Sequence, residues 1–308
     1  MCKRMRKDEP LAFSGSPFYN AVMRTPFFFL HIPRTAGTTL NSILKNNFEE
    51  HEILSIYRED DYKQKRILSA EERDQLKLIQ GHLFLQSYTP PTIYSIPVNV
   101  FTFLRDPVQR LISEYVFLKT WPNNHLYRYL NENGVTFSDY ITSDSKMLRY
   151  RGKNFMTRMI SGEDFDLTKF PHEPLRIAKE NITTRFGFVG IQERFNESLL
   201  LLKSFLGLDS IIYEKRNALR QELKEHITQS DIAIAESYNA ADRELYIYAS
   251  EKFSETIEKQ GPHFALQLKR FNIIISKYNT ACALIAQREG LNTQEDISLP
   301  KDSPLFRK

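Results

Sequence analysis

Residues 27–44, FFFLHIPRTAGTTLNSIL, are the stretch from which the fold is predicted most directly. A short apolar run ends in a turn rich in hydroxyl side chains, and apolar residues then return at helical spacing, which is typical of a strand, a turn and a helix. Such a turn presents unpaired backbone N–H groups and the positive end of a helix dipole, so it is a natural binding site for a phosphate or sulfate. Arg34 adds a positive charge, and further hydroxyl donors come from Thr35, Thr38 and Thr39.

The turn is not a Walker A loop, because that motif needs two glycines and a following lysine, whereas Gly37 stands alone here. Residues 31–40, HIPRTAGTTL, instead resemble the 5′-phosphosulfate loop of sulfotransferases that use 3′-phosphoadenylyl sulfate (PAPS), and most closely the loop of the carbohydrate branch. The resemblance implies that PAPS is bound by Arg34, Thr35, Ala36, Gly37, Thr38 and Thr39. For the turn alone, the alternative is an ordinary strand-turn-helix whose hydroxyls cap the helix.

A second motif, FLRDPVQRLISEY, occupies residues 103–115. Arg105 follows an apolar, strand-like run, and Ser113 lies about two helical turns further on, so both polar groups can reach one dianion. The segment resembles the 3′-phosphate-binding pattern of the same family, which implies that Arg105 and Ser113 bind the 3′-phosphate of PAPS. The alternative is a helix N-terminus stabilised by Asp106, with Arg110 in solvent.

His82 is the third candidate, within the segment LIQGHLF at 78–84. A lone histidine after a strand is more often a structural side chain than a catalyst. Transfer of a sulfuryl group, however, requires an acceptor hydroxyl to lose its proton, and histidine has a suitable pKa. The Gly-His pair resembles the one that carries the base in heparan 2-O-sulfotransferases, of sulfotransferase family 2, which implies that His82 is the base. His31 is a competitor, for which we expect a packing or hydrogen-bonding role.

Arg34 stands where the family usually has lysine. An arginine is permanently charged and can bind two oxygens at once, but it is a poor proton donor. We therefore expect Arg34 to take a catalytic role by stabilising the charge that develops during transfer, and not by acting as a general acid.

Alternating strands and helices predict an α/β protein with a P-loop-like three-layer fold, in which helices flank a central, mainly parallel sheet and a helical C-terminal extension follows. Beyond the first strand, strands are expected at 52–57, 78–83, 98–104 and 187–191. Helices are expected from a capping box at Ser69, and at 194–206, 231–259 and 262–288. Because ligands bind at the carboxyl ends of parallel strands, the three motifs should share one edge of the sheet.

The composition argues against several classes of protein. Lys and Arg number 42 against 38 Asp and Glu, and this net charge of +4 is too mild to indicate nucleic-acid binding. Two cysteines exclude a disulfide framework and a cysteine-based zinc site, and no other cluster of metal ligands is visible, so we expect no metal. No apolar run is long enough for a signal peptide or membrane helix, which predicts a soluble, cytoplasmic protein.

The domain organisation follows from the same survey. We expect a flexible N-terminal lead at residues 1–25, a sulfotransferase domain at 26–288 and a disordered tail at 289–308.

Residues 146–158, KMLRYRGKNFMTR, form a basic segment. One interpretation is a groove for an acidic carbohydrate acceptor, in which Arg149, Arg151 and Arg158 bind the substrate. The alternative is a solvated basic face of a helix, which is the usual outcome for such a run.

Together, the motifs predict a PAPS-dependent sulfotransferase that moves the sulfuryl group to a carbohydrate hydroxyl by in-line transfer, with a histidine base. Residues 188–196, FVGIQERFN, also resemble a segment of that family. One alternative is a P-loop kinase that uses ATP, which the missing Walker lysine disfavours. Another is a non-catalytic protein that binds a nucleotide and a polyanion.

Overall fold

A parallel β-sheet organises the part of the chain that this computed structural model describes, which comprises residues 25–57, 69–85, 99–162, 172–215 and 226–289. Its strands are β1 (Phe27–Leu30), β2 (Ile53–Ile56), β3 (Leu78–Gly81), β4 (Asn99–Leu104) and β5 (Phe186–Ile191). They lie in the order β2-β3-β1-β4-β5, and every neighbouring pair is parallel. The carboxyl ends of all five strands therefore meet at one edge.

Helices connect and cover the strands. The first half of the described chain contains α1 (Gly37–Lys45), α2 (Ala70–Gln75), α3 (Pro107–Thr120), α4 (Tyr127–Glu132), α5 (Phe137–Thr142), α6 (Lys146–Gly152) and α7 (Phe155–Ser161). The second half contains α8 (His172–Thr184), α9 (Phe195–Leu206), α10 (Gln229–Tyr238), α11 (Ala240–Lys259) and α12 (Pro262–Glu289). Short 3₁₀ helices precede β2, at Glu50–Glu52, and follow β5, at Gln192–Arg194.

The sheet is buried on both faces. Alternate residues of β1 enter different clusters, because successive side chains of a strand point to opposite faces: Phe28 and Leu30 belong to one cluster and Phe29 to the other. The first cluster is completed by α7, α8 and α11, and the second by α1, α9 and α12. The predicted three-layer α/β fold with a parallel sheet is thereby confirmed.

Local signals in the sequence mark several element boundaries correctly. Ser69 and Glu72 form the predicted capping box at the start of α2, with Ser69 N donating to Glu72 Oε2 at 2.8 Å and Glu72 N donating to Ser69 Oγ at 3.1 Å. Pro107 occupies the first turn of α3, where its missing N–H costs nothing. Gly207 ends α9 with a φ of 68°.

The single helix predicted at 231–259 is wrong, because the chain breaks at Asn239 into α10 and α11. The Asn239 side chain is fully buried and binds backbone groups: its Oδ1 accepts from Asn154 N, and its Nδ2 donates to Gly152 O and, four residues back in α10, to Ala235 O. These bonds compete with a continuous helix.

The predicted lead and tail fall almost entirely on residues 1–24 and 290–308, outside the described residues, so these domain boundaries stay predictions. Within the described ranges, none of the helices combines the length and the apolar character needed to cross a membrane.

Replacing Gly81 with Ala should destabilise the sheet at the base of the His82 turn. A Cβ at this position would lie 2.0 Å from the carbonyl oxygen of Ile56 on the neighbouring strand, so the backbone of β2 or β3 must move. We expect a loss of about 3 kcal/mol in the free energy of unfolding, measured by urea denaturation. Gly152→Ala is the control, since its Cβ would meet nothing closer than 3.5 Å. Equal stability of the two variants would contradict the observed strand spacing.

Candidate active site

The three sequence motifs lie side by side at the carboxyl edge of the sheet. Strand β1 is flanked by β3 and β4, so the turn that follows it adjoins both Gly81-His82 and Arg105-Asp106. Tyr57 follows β2 at the same edge. The shared edge predicted from the sequence is confirmed.

The turn after β1 exposes a set of backbone donors. Arg34 and Ala36 adopt left-handed conformations, with φ of 70° and 72°, and α1 begins immediately afterwards at Gly37. Among the described residues, no acceptor receives a hydrogen bond from the N–H groups of residues 35–39, whereas Leu40 N already donates to Ala36 O at 3.1 Å. We call residues 34–39 the anion loop, because converging unpaired N–H groups at a helix start bind tetrahedral anions.

Glycine is required at position 37 by its neighbour His31. A Cβ on Gly37 would lie 1.5 Å from His31 Nε2, so the histidine ring occupies the volume that any other side chain would need. His31 is only 8% exposed. The single glycine of the loop therefore reflects close packing against the ring.

The three threonines of the anion loop are not equivalent. Thr35 is fully buried, and its Oγ1 donates to Ile32 O at 2.8 Å, so the prediction that this hydroxyl contributes a ligand donor is wrong. Its backbone N–H is still available. Thr38 is exposed and Thr39 is half-buried, and neither hydroxyl has a partner among the described residues.

Arg34 joins the two phosphate-type motifs. Its Nε donates to Ser113 Oγ at 3.0 Å, its guanidinium lies 4.6 Å from the ring centre of Phe117, and its carbonyl accepts from Arg105 Nη1 at 3.1 Å. Both Nη groups of Arg34 lack a partner among the described residues. Burial lowers the pKa of Arg34 and of Arg105, but a guanidinium stays charged. Two arginines and a serine thus converge beside the anion loop.

Glu193 supports the turn that carries Arg105. Its Oε1 accepts from Asp106 N at 3.0 Å, and its Oε2 accepts from Tyr246 OH at 3.0 Å. Asp106 in turn caps α3, accepting from Gln109 N at 2.9 Å. Glu193, in the segment FVGIQERFN, therefore stabilises the turn that follows β4. The sequence pattern does not predict this role.

His82 is held in one tautomer. Its Nδ1 lies 2.7 Å from the carbonyl oxygen of His31, and because a carbonyl can only accept, Nδ1 must carry a hydrogen. Burial lowers the pKa of His82 to about 4, so the ring is neutral at physiological pH and Nε2 keeps its lone pair. Nε2 has no partner among the described residues. His82 Nε2 can therefore accept a proton.

One arginine of the basic segment reaches this site. Arg151 Nη1 pairs with Glu114 Oε1 at 3.1 Å, and its carbonyl accepts from Arg110 Nη2 at 2.7 Å. Its positive charge contributes to lowering the pKa of His82 and of His31. Arg110 is completely buried, so the alternative that put it in solvent is wrong.

Glu114 is also completely buried. Burial alone would raise the pKa of this carboxyl, but the guanidinium groups of Arg151, Arg110 and Arg34 outweigh burial and hold the pKa below its ordinary value. Sequence patterns do not reveal this carboxylate, because two of its partners lie far away in the chain: Arg34 in the anion loop and Arg151 on α6.

Arg158, also predicted to bind substrate, does not line a groove with Arg151. Arg158 is 6% exposed and lies over the ring of Phe155, 5.8 Å from its centre, which does not suit a groove-lining residue. The side chain of Arg149 lies outside the described part of the structure. Lys153 pairs with Asp144. A continuous basic groove is thus not seen among the described side chains of this segment.

Comparisons with known proteins give the following matches. A sequence model of the family described as Galactose-3-O-sulfotransferase matches residues 3–270. Similar solved structures include mouse sulfotransferase SULT7A1 complexed with PAP, with 15% sequence identity over 72% of this chain and 69% of that chain, and a TM-score of 0.35. No curated protein sequence matches the chain.

The His82 ring should titrate near pH 4 in the free protein, because burial opposes its charging. An NMR pH titration of the ring signals, assigned with His82→Gln, measures this directly. An unfolded chain charges histidine near pH 6.5, so His82 adds stability that is complete above that pH and is lost as the pH falls from 6.5 to about 4. A midpoint at or above 6.5 would contradict the described environment.

Proposed function

Because the chain belongs to the galactose-3-O-sulfotransferase family, we propose that it transfers the sulfuryl group of PAPS to the 3-hydroxyl of a galactose residue in a glycan. Membership makes it a PAPS-dependent sulfotransferase, whereas the galactose and the hydroxyl position are the proposal. The observation that carries the proposal is the anion loop with His82 beside it: unpaired donors for a phosphosulfate group lie next to a neutral imidazole with a free Nε2.

The family match confirms the coarser prediction only. The heparan 2-O branch is not specifically supported, since the matched family is the galactose-3-O one. A carbohydrate sulfotransferase that uses PAPS is confirmed. The individual roles given to the site residues remain proposals, and so do the absence of a metal and the cytoplasmic location.

PAPS needs two anion sites, and two clusters of described residues suit them. We assign the 5′-phosphosulfate group to the anion loop, where the N–H groups of residues 35–39 and the Nη groups of Arg34 are unpaired. We assign the 3′-phosphate to Arg105 and Ser113, which Arg34 connects to the loop. Charge-assisted hydrogen bonds of this kind are roughly twice as strong as neutral ones.

The proposed transfer uses His82 as the general base. Nε2 takes the proton of the galactose 3-hydroxyl while the hydroxyl oxygen forms a bond to sulfur and the bond from sulfur to the 5′-phosphate oxygen breaks. Adenosine 3′,5′-bisphosphate (PAP) leaves, and the product is a galactose 3-sulfate. Arg34 stabilises the charge that grows on the sulfuryl and bridging oxygens, which a bidentate cation does without giving up a proton.

A neutral galactose acceptor fits the charges better than a polyanion does. The positive charge of Arg151 is balanced by Glu114, Lys153 is paired and Arg158 is buried. These contacts disfavour the non-catalytic polyanion-binding alternative. The kinase alternative lacks support in the site as well, since Arg105 and Ser113 provide for a 3′-phosphate that ATP does not have.

Calorimetry should show that binding depends on the 3′-phosphate. We expect PAP to bind roughly ten- to a hundredfold more tightly than 5′-AMP, the range for losing charge-assisted hydrogen bonds, and Arg105→Ala to abolish the difference. Arg243→Ala is the matched control, because this exposed arginine lies on α11 and its side chain pairs with Glu236, at 3.9 Å. Equal binding of PAP and 5′-AMP by the wild type would reject the assignment.

Transfer from PAPS to a terminal β-galactoside should give the 3-sulfate, identified by NMR of the product. A 3-O-methyl galactoside is the control and should remain unmodified. His82→Gln should lower kcat by a factor of about 100 or more while leaving the affinity for PAP unchanged, because loss of a general base affects only the chemical step. Sulfation of another hydroxyl would refute the proposed position, and normal turnover by His82→Gln would refute the proposed base.

A further inference from the structure

A second histidine lies against the proposed base and has no role in the transfer just described. The ring centres of His31 and His82 are 4.5 Å apart, and Tyr57 contacts both rings, at 5.5 Å and 4.9 Å. These three residues follow β1, β3 and β2, which are adjacent in the sheet. His31 is thus part of the site, although it is almost completely buried.

The hydrogen of His31 is placed by a chain of side chains. Asn41 Nδ2 donates to the Tyr57 hydroxyl oxygen at 2.9 Å, and that hydroxyl lies 3.0 Å from His31 Nδ1. Burial raises the pKa of Tyr57 to about 12, so the hydroxyl keeps its hydrogen and can donate it to Nδ1. Burial, aided by the neighbouring His82 and by the positive charges of Arg151 and Arg34, lowers the pKa of His31, so its ring is neutral. A neutral ring that accepts at Nδ1 carries its hydrogen on Nε2.

His31 Nε2 lies at the start of α1. It occupies the place that a Cβ of Gly37 would take, next to the unpaired N–H groups of the anion loop. No described residue accepts a hydrogen bond from it. The opposite tautomer would direct a lone pair at a bound anion, which is repulsive, whereas an Nε2–H adds one more donor.

We propose that His31 is a further anion-binding residue, whose Nε2–H donates to an oxygen of the phosphosulfate group in the anion loop, and that Asn41 and Tyr57 are positioning residues that fix its tautomer. The identity of the anion rests on the function proposed above. Two neighbouring neutral imidazoles then have opposite tautomers and complementary tasks. His82 has a free Nε2 to accept the acceptor proton, and His31 has an Nε2–H to hold the group that is transferred.

Nitrogen-15 NMR of the histidine rings tests the tautomers without any catalysis. In the free protein and in the PAP complex, we expect His31 to show a protonated Nε2 and a bare Nδ1, and His82 to show the reverse. PAP should shift His31 Nε2, because the 5′-phosphate accepts its hydrogen. A His31 ring protonated at Nδ1 alone, which would also follow from the reversed Asn41 amide, or a charged His31 ring, would overturn the proposal.

Binding to variants tests the role of the chain. Tyr57→Phe should weaken PAP binding roughly tenfold, because the tautomer of His31 is no longer fixed. Tyr248→Phe is the matched control: this half-buried tyrosine on α11 also loses one hydroxyl hydrogen bond, 2.8 Å from Thr183, and should bind PAP normally. His31→Gln, which keeps a donor, should bind PAP more tightly than His31→Leu.

The outcomes separate this inference from the proposed function. If galactosides are not sulfated but Tyr57→Phe and His31→Leu still weaken PAP binding, the acceptor is wrong and His31 keeps its role. If galactosides are sulfated normally while the folded Tyr57→Phe and His31→Leu proteins bind PAP as the wild type does, the role of His31 is rejected.

Discussion

The unpaired backbone N–H groups of the anion loop are the constraint on which the rest of the site depends. Such donors remain at the start of every helix, and here the N–H groups of residues 35–39 all lack a protein partner among the described residues. An anion bound there would satisfy them. The parallel sheet places the loop at its carboxyl edge, beside the ends of β3 and β4, and so brings His82 and Arg105 to the same place.

Neighbouring arginines explain why a buried carboxylate, Glu114, is found beside a site that binds an anion. Glu114 would repel a phosphosulfate group, yet it pairs with Arg151 and holds its guanidinium while Arg110 holds its carbonyl. A buried charge is tolerated only when it is paired, and removing one partner leaves the other exposed to the full desolvation cost. Glu114 therefore holds Arg151 in position, and the opposite charges of the two side chains balance each other. The neighbouring Arg34 forms no direct ion pair with a carboxylate among the described residues, although the charge of Glu114 acts on it, so its Nη groups are available to a ligand.

The parts of the site that could be predicted from the sequence were those with local signals. The strand, turn and helix at 27–44, the Pro107 helix start and the Gly81-His82 turn each depend on neighbouring residues, and their meeting at one edge follows from parallel topology. Glu114, Tyr57 and Glu193 were missed because their partners are remote in sequence and no spacing reveals such pairs.

Predictions from local sequence patterns were wrong where tertiary contacts determine the position of a side chain or the end of a helix. The sequence predicts a Thr35 hydroxyl that faces a ligand, but this hydroxyl donates to the carbonyl of Ile32. The sequence also predicts that Arg158 lines a basic groove, but α7 buries it against Phe155. The helix predicted across Asn239 breaks because that side chain binds the backbone of Asn154 and Gly152. In each case the polar or charged side chain interacts with another part of the protein.

A crystal structure of the protein with PAP and a β-galactoside is the most direct test of these assignments. We expect the 5′-phosphate on the N–H groups of residues 35–39, the 3′-phosphate on Arg105 and Ser113, and the galactose 3-hydroxyl about 3 Å from His82 Nε2, which is hydrogen-bonding distance. A nucleotide bound away from the anion loop, or a galactoside whose 3-hydroxyl does not face His82, would show the assignments to be wrong.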